Sequence, residues 1–472
     1  MSKPFFITTP IYYVNGPPHI GHAYTTVAAD CLARFKRMQG KEVFFSTGTD
    51  EHGMKIAKKA EEEGKEPAVF VDALAGEFQK LWKALNIDYT KFIRTTEPAH
   101  KRAVQKVLAD FYERGLIYKG FYEGLYCVGC EQFKTADDLV DGKCPDHNRA
   151  PEFMKEESYL MKMTELQPEL IRRIETDELR IAPEQYRNEI LSFLRGEPLT
   201  DISISRKNVQ WGIPLPFDEA HTTYVWVDAF LNYLTVLGWE GDVKTVPMEW
   251  PANIQFIGKD ILRVHATIWP VILMHLGLPT QQLLFTHGHI LSGGKKMSKT
   301  LGNVIAIGDM LERFGVDGTR YLLMSAGTFG DDVDLTLERM TEKYNADLAN
   351  GLGNLVSRVL KLSENLSEKL ELDFSGSNMW NDVNGYLEQC MLADALNQIW
   401  SYIRVTNQVI DNDKPWELAK TNEEKFEQVM KGYLKTLAGI SFILKPFLPE
   451  TSEKIETALK TGKVEPLFQR IK

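Results

Sequence analysis

At 472 residues the chain is too long for one compact core, and its length predicts about three domains. Hydrophobic residues make up 43% and charged residues 25%, as in an ordinary soluble globular protein. The net charge of −10 and the pI near 5.6, taken alone, argue against a nucleic-acid partner unless it meets local basic patches and base-reading side chains, and five cysteines argue against a secreted disulfide scaffold. No signal peptide is read at the N-terminus, and no stretch reaches the roughly 18 uncharged apolar residues that cross a bilayer, so a cytoplasmic protein with no membrane partner is expected.

The first apolar run, Phe5 to Val14, reads as a strand. Asn15-Gly16-Pro17-Pro18 turns the chain, and a helix runs from His19 to about Gln39. A second strand, Val43 to Ser46, leads into the turn TGTDEHG and a helix from about Met54. Alternating strand and helix predicts a parallel sheet covered by helices, with ligands at the carboxyl ends of its strands. From about Ile117 to His221 the alternation breaks. This region holds a cysteine cluster, strand-like runs at Tyr159–Lys162 and Asp201–Ser205, and an amphipathic helix near Gln167–Thr176, and it reads as an insertion. Strands are then expected at Thr223–Asp228, Ile254–Ile257 and Leu283–His287.

Beyond about Thr341, apolar residues recur at helical spacing (Leu348, Leu352, Leu355, Val356, Val359, Leu360), and further helices are expected over Leu392–Val409, Phe426–Leu444 and Ser452–Leu459. The segment SGSNMWND, 375–382, reads as a loop. Short connections between long amphipathic stretches suggest an all-α bundle. The expected divisions are an α/β domain in two halves, 1–116 and 222–285; an insertion, 117–221; a linking region with a lysine loop, 286–340; and the bundle, 341–472.

Two elements point to a nucleotide. His19-Ile20-Gly21-His22 opens a helix whose N-terminus attracts phosphate. Gly21 lacks a Cβ, so a base or ribose can lie against the backbone, and the two histidines fall on one face, where they can donate to a phosphate whose charge grows in a transition state. Two surface histidines at a helix start are the plainer alternative. The second element is Lys295-Lys296-Met297-Ser298-Lys299-Thr300 after Ser292-Gly293-Gly294. Lysines on a glycine-hinged loop can close onto a triphosphate; the alternative is a solvated basic loop.

A third element is Cys127-Val-Gly-Cys130 with Cys144-Pro-Asp-His147, two short pairs 13 residues apart that can close a tetrahedron around Zn²⁺. Four protein ligands leave no open position, so the metal's role is structural; a redox dithiol or chance is the alternative. Cys31 and Cys390 read as buried thiols.

The HIGH element and the KMSKT element some 275 residues later together resemble the class I aminoacyl-tRNA synthetases, with Thr300 where that family usually has serine. The longer segments TPIYYVNGPPHIGHAYT, TGTDEHG, SISR with WGIPLPFD, TYVWVDA, FIGKDILRVHATIWP and HGHILSGGKKMSKT look like the methionyl-tRNA synthetase family, and the resemblance covers about residues 4 to 470. It implies a Rossmann-type catalytic domain with a single-knuckle zinc-binding connective insertion, holding one structural Zn²⁺ per chain, and an all-α anticodon-binding bundle. It also implies a ligase that activates L-methionine with ATP and Mg²⁺ and loads it onto initiator and elongator methionine tRNA.

Carried over by resemblance, His19 and His22 stabilise the α-phosphate, Lys296 and Lys299 hold the pyrophosphate, Gly258 and Asp260 bind the ribose, and Ile290 presents backbone to adenine. The methionine pocket is Ile11, Tyr13, Trp226, Ala229, Tyr233, His265 and Trp269, with Tyr13 and His265 reaching the sulfur with polar donors and Asp50 taking the ammonium. A polarizable thioether suits aromatic edges, although ordinary core packing is the alternative for each aromatic and turn capping the alternative for Asp50. Asn354 and Arg358, four apart on a helix, and Trp416 after Pro415 resemble the family's anticodon readers; a buried indole is the alternative for Trp416. From Thr341 onward 16 basic residues face 19 acidic ones, so specificity would rest on a few base contacts. Many relatives continue with an oligonucleotide-binding dimerisation domain; its absence after Lys472 predicts a monomer with weak tRNA affinity, or a shortened chain.

Overall fold

The computed structural model describes residues 3–128, 132–134, 139–145, 148–207, 209–297, 303–366, 370–374, 377–463 and 465–472. The chain divides into two compact units, one of residues 1–18, 43–80 and 89–286, the other of residues 19–42, 81–88 and 287–472.

The first unit is built on a six-stranded sheet in the order β3 (Lys91–Arg94), β2 (Val43–Asp50), β1 (Phe5–Tyr13), β12 (Ile254–Gly258), β13 (Leu283–His287) and β7 (Arg180–Ala182). β1 runs parallel to both β2 and β12, β2 to β3, and β13 to β7. From β1 the order runs outward through β2 and β3 on one side and through β12 and β13 on the other. Strand order therefore reverses at β1, and the carboxyl ends of β1, β2 and β12 mark the place for a ligand. Both faces of such a sheet are covered, so its strands read as apolar runs; Phe6, Ile7, Phe45, Phe256 and Ile257 are fully buried. The covering helices are α2 (Met54–Glu62), α3 (Pro67–Ala84), α4 (Pro98–Glu113), α5 (Gln167–Glu175), α6 (Glu184–Gly196), α7 (Val225–Phe230), α8 (Asn232–Thr235), α9 (Leu262–Ala266) and α10 (Ile268–His275).

β7 comes from the middle of the region read as an insertion, yet it extends the main sheet. The rest of that region forms a four-stranded sheet of β5 (Gln132–Lys134), β4 (Ile117–Cys127), β6 (Glu152–Met161) and β8 (Ile202–Ser203), and a three-stranded one of β10 (Pro214–Leu215), β11 (Asp218–Thr223) and β9 (Ser205–Arg206). The expected strand at Thr223–Asp228 is corrected: β11 ends at Thr223 and α7 begins at Val225.

Among the described residues, the second unit is helical apart from a small sheet of β15 (Lys295–Lys296), β14 (Ile290–Ser292) and β16 (Val333–Asp334). Its helices are the N-terminal α1 (Ile20–Met38), then α11 (Ile307–Met324), α12 (Leu337–Lys343), α13 (Asn354–Ser363), α14 (Ser377–Glu388), α15 (Leu392–Asp413), α16 (Pro415–Thr421), α17 (Glu423–Leu444) and α18 (Pro449–Thr461). A π-helical segment, Tyr344–Gly353, joins α12 to α13. The expected loop at 375–382 is also corrected, because α14 starts at Ser377. Trp380 packs its ring edge-on against Phe442 and tilts against Phe35, and this burial overrides the loop-forming serine and asparagine. Among the described residues, no helix is long and apolar enough to cross a membrane.

Candidate active site

The carboxyl edge of the large sheet gathers the residues expected to bind an amino acid. Asp50 closes β2 directly beside Tyr13 at the end of β1, and Ile11 pairs with Gly48. Asp50 is buried, and its carbonyl receives the Val14 N–H at 3.2 Å. Gly258 ends β12, and Asp260 stands exposed in the short helical turn that follows.

Above this edge stands an aromatic cluster from α7 to α10. Trp226, Ala229, Tyr233, His265 and Trp269 all contribute, and all except the half-buried Trp226 are buried. Phe230, absent from the expected set, sits at its centre. It stacks on Trp269 at 5.8 Å, meets His265 edge-on at 4.9 Å and lies 5.9 Å from Trp226. Three aromatic rings within about 7 Å form the kind of wall that a polarizable thioether contacts well.

His265 differs from expectation in one respect. Its Nδ1 lies 2.9 Å from the Ile261 carbonyl and so carries the proton; Nε2 then accepts from the Tyr233 hydroxyl at 2.9 Å. Burial lowers its pKa to about 4, so the ring is neutral at pH 7. It has no proton left to donate to a sulfur, and its contribution is a ring edge held in place by two hydrogen bonds.

Three further residues in the first unit carry a pairing that no local pattern in the sequence announces. Asp228 on α7 lies 2.6 Å from His52 Nδ1 and 2.7 Å from His100 Nε2, and all three are buried. Only the need for a partner was legible: a lone carboxylate inside the apolar run TYVWVDAF has to be paired.

In the second unit, His19 is the N-cap of α1. Its Nδ1 accepts the Gly21 N–H at 3.2 Å, while His22 Nδ1 accepts the His19 N–H at 3.3 Å. This reciprocal box satisfies two helix-end donors with imidazoles in place of the usual hydroxyl and carboxylate. It also fixes the tautomers: with both Nδ1 atoms accepting, each neutral ring carries its proton on Nε2. The rings stack 3.6 Å apart with 23° between planes. A Cβ on Gly21 would lie 3.1 Å from the His19 ring, so glycine leaves the imidazole room to cap. Desolvation and then the neighbouring His19 push the His22 pKa well below its usual range. One turn on, Thr25 Oγ1 lies 2.7 Å from His287 Nε2; His287 Nδ1 is 2.8 Å from the Gly288 carbonyl, so the threonine donates and α1 is tied to the strand end before β14.

Lys295 and Lys296 return from β14 through Gly293 and Gly294, both at positive φ (63° and 72°), a tight hairpin that glycine permits without strain. Lys296 is exposed. On β14, His289 and Leu291 carbonyls accept from Val333 and Leu335, so alternation along the ladder turns the backbone of Ile290 away from β16. Lys299 and Thr300 lie outside the described residues.

The bundle brings the other expected readers to its surface. Asn354 is exposed at the start of α13 and lines a cavity of about 410 Å³ with Asn350, Ser357 and Phe468. Arg358 is half-buried, its Nη2 2.6 Å from Asp411. Trp416 is 42% exposed at the first turn of α16, which decides against a buried indole.

In the insertion, Cys127 ends β4 and Cys144 stands in a turn closed by pairing with Arg149; both thiols are buried. Cys130 and His147 lie outside the described residues. Among the described residues no group of three or more His, Cys, Asp or Glu gathers for a metal. Cys127 and Cys144 are soft donors of the kind a tetrahedral zinc set uses. Cys31 and Cys390 are buried, and burial pushes the Cys31 thiol up to about 12.

Comparison with known proteins agrees with this architecture. The profile of the family described as tRNA synthetases class I (M) matches residues 5–151 and 146–360. A methionine–tRNA ligase of Clostridium acetobutylicum is 44% identical over 97% of this chain and 73% of its own length. The structure of Mycobacterium tuberculosis methionyl-tRNA synthetase in complex with methionyl-adenylate superposes with a TM-score of 0.89 at 34% identity, over 96% of this chain and 93% of that one. The apo form of the same enzyme gives a TM-score of 0.83 at 30% identity, over 100% and 99%. A parallel sheet with its site at the reversal of strand order, followed by a helical C-terminal region, is the class I synthetase fold. The chain belongs to the class I tRNA synthetases and, among them, to the methionine–tRNA ligase family.

Proposed function

We propose that this protein activates L-methionine with ATP to methionyl-adenylate and transfers the methionine to the 3′ end of its cognate tRNA. The observation that carries the reading is the pairing, at one sheet edge, of a buried carboxylate with a neutral aromatic wall. Asp50 offers a charge-assisted acceptor to the substrate ammonium, while Trp226, Tyr233, His265 and Trp269, with Ile11, Tyr13 and Ala229, take an apolar, polarizable side chain. Methionine-dependent ATP–pyrophosphate exchange against a panel of amino acids tests it. Exchange with methionine alone is expected; exchange with another amino acid would discard the pocket, and none at all the activation step.

In this reading His19 and His22 donate their Nε2–H groups to the α-phosphate as the methionine carboxylate attacks and pyrophosphate leaves. Lys296 and Lys299 neutralise the departing pyrophosphate, with Mg²⁺ accompanying the nucleotide. Gly258 and Asp260 meet the ribose, Gly21 leaves space for the nucleotide against the backbone, and Ile290 offers backbone groups to adenine. Such preset donors favour the transition state because they cost no reorganisation when charge develops.

Cys127, Cys130, Cys144 and His147 would hold one structural Zn²⁺ that knits the insertion. Metal analysis of the purified protein is expected to return close to one zinc per chain. A fully folded protein without zinc would overturn the assignment.

Asn354, Arg358 and Trp416 are the anticodon readers in this reading, for initiator and elongator tRNA alike. Support comes from the exposed indole of Trp416 and the polar cavity beside Asn354. Stacking on an aromatic contributes about 1–3 kcal/mol per base, so Trp416→Ala is expected to lower aminoacylation by about 5–150-fold. Pyrophosphate exchange, which needs no tRNA, should stay unchanged; joint loss of both activities would point to folding.

A further inference from the structure

The turn that carries Asp50 is gripped at each residue that follows it. Glu51 is fully buried; its Oε1 receives Thr49 Oγ1 at 2.6 Å and Arg94 Nε at 2.7 Å, and its Oε2 receives Arg94 Nη2 at 2.9 Å and the Thr96 hydroxyl. Trp211 Nε1 donates to the Glu51 carbonyl at 2.5 Å, and Gly53 N donates to the Trp211 carbonyl at 3.0 Å. Between them His52 Nδ1 donates to Asp228 Oδ2 at 2.6 Å. The other oxygen, Oδ1, receives His100 Nε2 at 2.7 Å, and His100 Nδ1 accepts from Thr235 Oγ1 at 2.7 Å.

The positions of these partners give the network a direction. Asp228 sits on α7 between Trp226 and Ala229, and Thr235 sits on α8 two residues beyond Tyr233. One buried carboxylate thus joins the turn of the ammonium acceptor to two of the helices that form the aromatic wall, α7 directly and α8 through His100. Any one bound conformer of methionine sets one ammonium-to-sulfur distance, so a site that selects it must hold its two ends at that separation.

We infer that Asp228 and His52 are a positioning pair that sets the ammonium acceptor Asp50 in register with the thioether pocket, and so govern the choice of methionine over shorter homologues. The inference rests on the methionine-activation reading given above. A displacement of about 1 Å at a reacting site costs up to about a hundredfold, and here it falls on one substrate only.

The test is pyrophosphate exchange on the full chain. In Asp228→Asn, the KM for methionine should rise about tenfold or more while the KM for ATP stays within about twofold, and preference for methionine over S-methylcysteine, whose thioether stands one methylene closer to the ammonium, should collapse. His52→Ala should behave alike. His52→Asn, whose Nδ2–H can replace the imidazole Nδ1–H, should recover most of the preference, and the two His52 variants decide the matter if Asp228→Asn does not fold. Unchanged methionine KM and unchanged preference in folded variants would overturn the inference, as would equal rises for both substrates. Wild-type protein without methionine-dependent exchange would instead remove the function reading and the inference with it.

Discussion

His22→Ala is expected to slow methionyl-adenylate formation by about 10²–10³-fold, the loss usual when one preset donor to a developing oxyanion is removed. The geometry of α1 supports this. Because His22 Nδ1 accepts the His19 N–H, its proton stands on Nε2, away from the helix end. Desolvation, then the stacked His19, hold the His22 pKa well below its ordinary value of 6.5, so the ring is a neutral donor throughout the neutral range. Its donor role is then constant as pH rises through 7, and the folded state refuses a proton that the unfolded chain accepts below about 6.5. Single-turnover adenylate formation measures the effect, with methionine affinity taken by equilibrium binding as the control. Affinity should hardly move, since His22 belongs to α1 and the residues around the amino acid belong to the sheet edge and α7–α10. An unchanged rate would remove the catalytic role; a rate rescued by His22→Gln would tie it to the N–H group itself.

How much of this was legible in the sequence depends on the range of the interactions. Phe5 to Val14, followed by Asn-Gly-Pro-Pro and HIGH, declares strand, turn and helix through local chemistry alone, and the structure follows it. The same local logic misread Thr223–Asp228, where Thr, Tyr, Val, Trp and Val are strand formers, because the chain turns there into a six-residue helix that buries Val225, Val227 and Phe230. SGSNMWND misled in the opposite sense: its polar residues suggest a loop, but Met379 packs against Gly439 and Trp380 against Phe442. The four-residue β3 and three-residue β7 are too short to show a period at all. Within the site, Asp50, Trp226 and Trp269 could be named from motif resemblance. Phe230 could not, since the family the chain resembles varies at that position, and its stacking on Trp269 is what marks it. The pairing of Asp228 with His52 and His100 spans 176 and 128 residues, a distance over which no local pattern speaks.

Arg320→Met is expected to destabilise the protein by about 3–5 kcal/mol, the largest stability effect anticipated for a single side chain here. Arg320 on α11 is fully buried, and every arm of its guanidinium is used. Nη2 meets Asp30 Oδ2 at 2.6 Å and the Pro446 carbonyl at 3.1 Å, Nε donates to the Phe447 carbonyl at 2.8 Å, and Nη1 to the Leu85 carbonyl at 3.2 Å. Asp30, equally buried, lies on α1 and is held also by Arg34 at 2.8 Å and by the Asp88 N–H at 2.8 Å. One planar fork therefore ties α1, the end of α3, and the turn between α17 and α18 to α11. Methionine fills much of the same volume but leaves three buried carbonyls without these donors and takes from Asp30 its fully buried cation. Lysine keeps the charge yet has no fork, so Arg320→Lys should recover the ion pair but not the three carbonyl bonds, and its urea midpoint should fall between wild type and Arg320→Met. Asp30→Asn combined with Arg320→Met removes both charges and should cost less than the sum of the two single changes, because the penalty of a lone buried charge is then absent. Equal midpoints for Arg320→Met and wild type would show that the pair is not what anchors α1, and the helix that presents His19 and His22 would owe its position to apolar packing alone.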